Sequence, residues 1–130
     1  VCPAALGLGY HIGPSGDIEL CPPLSFACET IRDNSSNLFR TVNESSFLRN
    51  FQQFAISRTR GCVILECPHE LVDFLRTQGA RDTSGRDAFS ELMRSQSRPS
   101  HHIPGEEMPE TMRVYRWLKK NLFFGLGAYG

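Results

Sequence analysis

The chain alternates and turns before it coils. Leu8 to Ile12 and Asp17 to Cys21 read as two strands around Gly13-Pro14-Ser15-Gly16, which predicts a β-hairpin with a four-residue turn. On that spacing Cys21 falls opposite Leu8. Pro22-Pro23 stops the second strand, and Leu24, Ala27, Cys28 and Ile31 then recur at helical spacing, predicting a short helical turn packed on the hairpin. A polar linker, Asp33 to Asn37, follows.

Helical periodicity dominates the remainder. A weak helix is predicted around Leu38 to Val42. A stronger one from Phe47 to Ile56 puts Phe47, Phe51, Phe54 and Ala55 on one face, with Ser45 or Ser46 as its cap. Gly61 breaks this pattern. Pro68 suits the first position of a helix running to Gln78, and Gly79 suits its end. Ser84, with Asp87 three residues on, resembles a capping arrangement for a helix through Met93. Ser95 to Met108 reads as a loop, and a last helix is predicted from Pro109 to near Phe124. The pattern gives an α+β fold: an N-terminal β-hairpin, several short helices, and a C-terminal amphipathic helix. Residues 1-94 are expected to form a cluster-binding domain, and 95-130 a loop and C-terminal docking helix.

Composition narrows this picture. A chain of 130 residues can bury one core, and 14 basic side chains balance 14 acidic ones, so no overall field favours nucleic acid or an anionic membrane. The apolar runs fall far short of the roughly 20 residues that cross a bilayer, and no basic-then-apolar leader opens the chain. The expectation is a soluble, cytoplasmic protein. Because the chain opens on Val1 with a candidate ligand beside it, it is expected to be part of a longer product. Asn34-Ser35-Ser36 and Asn43-Glu44-Ser45 match glycosylation acceptors, a match discounted for a cytoplasmic chain.

The cysteines carry the chemistry. Their number, five, is odd, which argues against a paired disulfide framework. Cys2 and Cys21 flank the hairpin, while Cys62 and Cys67 bracket the run CVILEC. Four thiolates from two separated segments make the set that a cubane [4Fe-4S] cluster needs. Proline directly follows Cys2, Cys21 and Cys67, turning the chain away from each ligand. Cys67 at a helix N-terminus, with Arg58 and Arg60 upstream, is expected to favour an anionic cluster. Cys28 shares its predicted helical face with Leu24 and Ile31 and reads as a small buried hydrophobe. Two alternatives remain open: a zinc site, although Cys2 and Cys21 do not form a tight zinc knuckle, and plain buried cysteines.

The opening VCPAALGLGYHIGPSGDIELCPP resembles the auxiliary-cluster region of radical SAM enzymes, of the SPASM and shorter Twitch type. The family pattern is a cysteine, a spacer, a glycine, four residues and a second cysteine; here Cys2, thirteen residues, Gly16, DIEL and Cys21 follow it. The likeness spans roughly the first 70 residues. The dense downstream cysteine run of SPASM is absent, so the single-cluster Twitch form is the nearer likeness. It implies an auxiliary [4Fe-4S] cluster on Cys2, Cys21, Cys62 and Cys67, with Cys28 the substitute for Cys62 or Cys67. It also implies electron transfer or substrate anchoring beside an upstream radical SAM barrel of the same chain, with an electron donor as a further partner. S-adenosylmethionine and its own cluster belong to a CxxxCxxC motif that does not occur here, so these residues are not expected to be catalytic alone.

Other features read more plainly. His101-His102 with Glu106 and Glu107 are expected in an exposed loop, not at a metal, and His11 as a packed or solvated histidine. Met112, Tyr115, Leu118 and Leu122 share a face of the last helix. Arg113, Arg116, Lys119 and Lys120 add positive charge, and Trp117, Phe123 and Phe124 add aromatic bulk. Docking on protein is preferred to membrane-surface binding, because the rest of the chain carries no membrane signal.

Overall fold

A computed structural model describes residues 2–32, 37–101 and 113–121, with backbone alone at 115, 116, 119 and 120. The fold is α+β. Strands β1 (His11–Ile12), β2 (Asp17–Cys21), β3 (Leu24–Thr30) and β4 (Arg81–Asp82) form one antiparallel sheet in the order β1-β2-β3-β4.

The predicted hairpin is present with a different register. His11 pairs with Glu19 and Ile12 with Ile18, which puts Gly9 rather than Leu8 level with Cys21, and the pairing stops at His11. Gly16 takes the left-handed conformation (φ 86°) and its N–H donates to the Gly13 carbonyl at 2.9 Å. The Gly13 N–H in turn donates to the Asp17 carbonyl at 2.9 Å, so Gly13 faces Asp17 and Pro14-Ser15-Gly16 spans the turn within the expected 13–16 connection.

The stretch expected as a helical turn, 24–31, is instead β3 as far as Thr30. Pro22-Pro23 does not end the sheet; it makes the tight turn that brings Leu24 opposite Cys21. From there Ala27 pairs with Glu19 and Thr30 with Asp17, with irregularities between the pairs. The helical spacing of Leu24, Ala27, Cys28 and Ile31 loses to long-range pairing, since β3 also takes β4 through Phe26–Asp82 and Ala27–Arg81.

The helices follow their patterns more closely. They are α1 (Leu38–Glu44), α2 (Ser46–Arg58), α3 (Val63–Glu66), α4 (Pro68–Thr77), α5 (Ala88–Arg94) and α6 (Arg113–Asn121). Ser45 caps α2, its hydroxyl accepting the Leu48 N–H at 3.1 Å, and Phe47, Leu48, Phe51 and Ala55 are buried. In α4 the proline stands in the first turn, where no intrahelical donor is lost, and Leu71, Val72 and Leu75 are buried. Gly79 ends it at φ 67°. Phe74 joins the two helices, its ring stacked on Phe54 at 4.6 Å between centroids.

The cap of α5 is Asp87, not Ser84. Asp87 accepts the Ser90 N–H at 3.2 Å, whereas the Ser84 hydroxyl turns back to Asp82 at 2.6 Å. Asp82 is the reason: its other oxygen takes the Ala88 N–H at 2.7 Å, so one carboxylate organises the whole approach to α5. Phe89 of α5 then meets Phe26 of β3 edge to face at 4.6 Å.

One core results, built from Ile18, Leu20, Leu24 and Phe26 of the sheet, Phe47 and Phe51 of α2, Val63 of α3, and Leu71, Val72 and Leu75 of α4. It fixes the end of β2 against the turn that carries α3. In α6, Val114 and Trp117 are exposed. The expectations about residues 33–36, His102, Glu106, Glu107, Met112, Leu122, Phe123 and Phe124 lie outside the described residues. Among the described residues no helix is long and apolar enough to cross a membrane.

This packing predicts a sharp contrast in stability. Leu71→Ala, at a fully buried position, should cost about 2–5 kcal/mol in urea unfolding. Phe39→Ala, at a position 77% exposed, should stay within about 0.5 kcal/mol.

Candidate cysteine centre

Each cysteine is set by a different local device. Cys2 opens a coiled segment in which the Leu6 N–H donates to the Cys2 carbonyl (3.2 Å) and the Leu8 N–H to the Pro3 carbonyl (2.9 Å), with Ala4 and Ala5 buried on the core. Cys21 is the last residue of β2, immediately before the Pro22-Pro23 turn. Cys62 precedes α3 as its N-cap residue, and Cys67 is the joint between α3 and α4. All five cysteines are free thiols and half-buried.

Three of them meet. The Cys21 thiol is pushed up to about 12, first by burial, then by Cys2 and Cys62 nearby and, less, by Glu19; the Leu24 backbone hydrogen bond opposes this. The start of the chain, the end of β2 and the entry to α3 therefore bring Cys2, Cys21 and Cys62 into one neighbourhood. Cys67 stands differently. Its thiol is raised by burial and then by Glu70 and Glu66, against the pull of Arg58, and no cysteine is among the groups that shift it. The expected support from the helix terminus and from Arg58 is outweighed, because the Arg58 guanidinium is paired with Glu70 at 2.9 Å.

Cys28 lies on β3. Its thiol donates to the Gln78 carbonyl at 3.5 Å and is pushed up to about 11 by burial and Glu29, against Arg81. No other cysteine is among the groups that act on it.

The centre also contains a residue that sequence reasoning missed. Glu66, inside CVILEC, has a side chain only 12% exposed and gathers four hydrogen bonds. Its Oε1 accepts from the Ser100 N–H (2.7 Å), the Ser100 hydroxyl (2.8 Å) and His101 Nδ1 (2.8 Å), while Oε2 accepts from the Thr59 hydroxyl. Burial pushes this carboxyl up, but the bonds from Thr59, His101 and Ser100 outweigh it and hold it at about 2.

Residues 97–101 are thereby strapped across α3. The Arg98 N–H donates to the Leu65 carbonyl at 2.8 Å, and the Ser97 hydroxyl donates to the Glu66 carbonyl. The Ser100 hydroxyl accepts the Cys62 N–H at 2.6 Å, so the strap holds the backbone of a candidate ligand. Gly61 is required here for space: a Cβ would overlap Glu66 Oε1 and Ser100 Oγ. His101, expected in a free loop, has an exposed ring but is tied to Glu66. The signal available beforehand was a lone acid inside an apolar run flanked by two cysteines.

A second carboxylate, this one buried, braces the hairpin. Glu19 of β2 accepts from His11 Nδ1 at 2.7 Å and from the Thr83 hydroxyl beyond β4, which ties the two edges of the sheet across β3. His11 therefore has a structural partner.

Among the described residues no three His, Cys, Asp or Glu side chains close on a single ion. The convergent set is soft thiol sulfur, the donor type suited to iron–sulfur clusters and zinc. A cubane gives each thiolate its own iron at a separate corner, so its ligands stand farther apart than those of one tetrahedral ion. No family model matches the chain, and neither the curated proteins nor the solved structures yield a match.

Two outcomes follow from the Glu66 network. Gly61→Ala should lower the unfolding free energy by about 1–3 kcal/mol, because the strap must be displaced or its bonds broken. The Glu66 carboxyl is depressed from 4.5 to about 2, so its contribution is complete above pH 4.5 and fades as pH falls through about 2. Glu66→Gln should therefore be less stable than the parent at pH 7, and the gap in Tm should shrink as pH falls from 4.5 towards 2.

Proposed function

We propose that the chain is an auxiliary iron–sulfur domain of a radical SAM enzyme, of the single-cluster Twitch type, serving electron transfer or substrate anchoring. The observation that carries this reading is the joint action of Cys2 and Cys62 on the Cys21 thiol. Cys2, Cys21 and Cys62 would hold the cluster, with Cys67 as the candidate fourth thiol. When bound, the cluster would supply a one-electron reservoir or an iron site open to substrate. The chain's own part is to fix three thiols from separate segments around one partly buried spot and to brace Cys62 through Ser100 and Glu66.

On this reading the radical chemistry and S-adenosylmethionine belong to an upstream barrel in the same longer chain, and an electron donor is a further partner. The exposed Val114 and Trp117 of α6 suit docking on such a neighbour. The compartment is the cytoplasm, where reducing conditions keep thiols free for metal.

Anaerobic reconstitution with ferrous iron and sulfide tests the reading. A brown protein with iron and sulfide in cluster stoichiometry is expected, and Cys21→Ser or Cys2→Ser should abolish it while Cys28→Ala leaves it unchanged. A colourless protein that takes up one zinc per chain instead would refute the cluster and leave a zinc-stabilised interaction module.

A further inference from the structure

We propose that the cleft between the segment preceding β1 and the helices α1 and α2 binds a small planar heterocyclic anion of the mononucleotide kind. Among the described residues no cysteine lines this cleft, and the inference is independent of the cluster reading.

Shape is the first argument. The cleft has a volume of about 360 Å³, within the roughly 300–1,000 Å³ typical of small-molecule sites. Its floor is the outer face of the core, where Leu20, Leu48 and Phe51 are buried against one another's elements. Its rim carries two aromatic rings from different elements, Tyr10 from the segment before β1 and Phe39 from α1. The Phe39 ring is 77% exposed, so it adds almost nothing to the core and is free to lie against a flat ligand.

The polar groups select the chemistry. Gly7 takes the left-handed conformation (φ 69°), and a Cβ there would come 3.0 Å from Gln52 Nε2, so the chain lies directly against this amide. Among the described residues neither the Gln52 amide nor the Tyr10 hydroxyl has a hydrogen-bond partner. An amide offers a donor and an acceptor side by side, which matches the donor and acceptor on a heterocycle edge, as on adenine. Arg49 is the charged side chain of the cleft, and no carboxylate joins it among the described residues. Its guanidinium is anchored at the end of α1, donating to the Asn43 carbonyl at 2.7 Å and the Glu44 carbonyl at 3.0 Å. Further N–H groups remain for a phosphate or carboxylate.

Gly9 supplies the means to test this without disturbing the fold. It lines the cleft, its φ is not positive, and a Cβ there meets nothing within 4 Å. A larger side chain at Gly9 therefore occupies the ligand's space rather than the protein's.

The probe is adenosine monophosphate, titrated into the full chain and followed by two-dimensional NMR of the backbone amides. Adenosine, which lacks the charge, and ribose 5-phosphate, which lacks the ring, are the comparison arms. Saturable shifts centred on residues 7–10, 39–43 and 49–52 are expected, with the monophosphate binding about tenfold more tightly than either comparison compound. Gly9→Leu and Phe39→Ala should each keep the parent's Tm and weaken the monophosphate by about tenfold or more. The assignment is overturned by the absence of saturable shifts, by shifts centred elsewhere, or by an unchanged affinity in both variants. Equal binding of ribose 5-phosphate and the monophosphate also overturns it, since that marks an anion contact alone, as does equal binding of adenosine, which removes the role of Arg49.

Discussion

The burial of one apolar seam, β2 and β3 against α2 and α4, is the constraint on which the rest depends. Ile18, Leu20, Leu24 and Phe26 supply one side, and Phe47, Phe51, Leu71 and Leu75 the other. These side chains do more than stabilise. Because Leu20 is locked into the seam, Cys21 is fixed one residue beyond it at the end of β2. Because Val63 belongs to the same core, Cys62 is fixed one residue before it. Cys21 and Cys62 are placed by the burial of their neighbours, not by attraction between the thiols. Indeed the shift of Cys21 shows that, as free groups, they resist sharing charge.

On that scaffold polar chemistry is concentrated in two carboxylates with different tasks, Glu19 buried and Glu66 half-buried. Glu19 braces the sheet from the inside, between His11 and Thr83. Glu66 works at the edge of the core, where it converts an irregular stretch of chain into a defined strap. Each is surrounded by donors, which is the condition under which an ionised carboxylate can be withdrawn from water. The space they need explains the small residues near them: a Cβ at Gly13 would lie 2.9 Å from Glu19 Oε1, and one at Gly61 would collide with Glu66.

Much of this was legible in the residues. The α2 and α4 faces, the Ser45 cap, the Pro68 start and the Gly79 stop follow from local physical preferences that tertiary structure did not overrule. What failed were segments whose conformation is decided at a distance. Leu24 to Thr30 carries a spacing that fits either a helix or a strand, and only pairing with Asp17–Cys21 and Arg81–Asp82 selects the strand. Ser84 looked like a cap because its hydroxyl is a good acceptor, but Asp82 claims it. The site divides in the same way. Cys2 and Cys21 could be singled out from spacing and proline placement, and the fold adds that Cys62 acts on Cys21 together with Cys2. The strap could not be read, since a segment rich in serine and histidine is held here by Glu66, Leu65 and Cys62, all more than thirty residues away.

The shape of the sheet has a consequence of another kind. Its two outer strands, β1 and β4, are each two residues long. A sheet offers its unpaired amides and carbonyls at its margins, and long margins invite strands from other molecules. Here each outer strand offers only two residues of its own, and β3 meets β4 at Phe26 and Ala27. Outer strands this short give a strand from another molecule little of their own length to pair with.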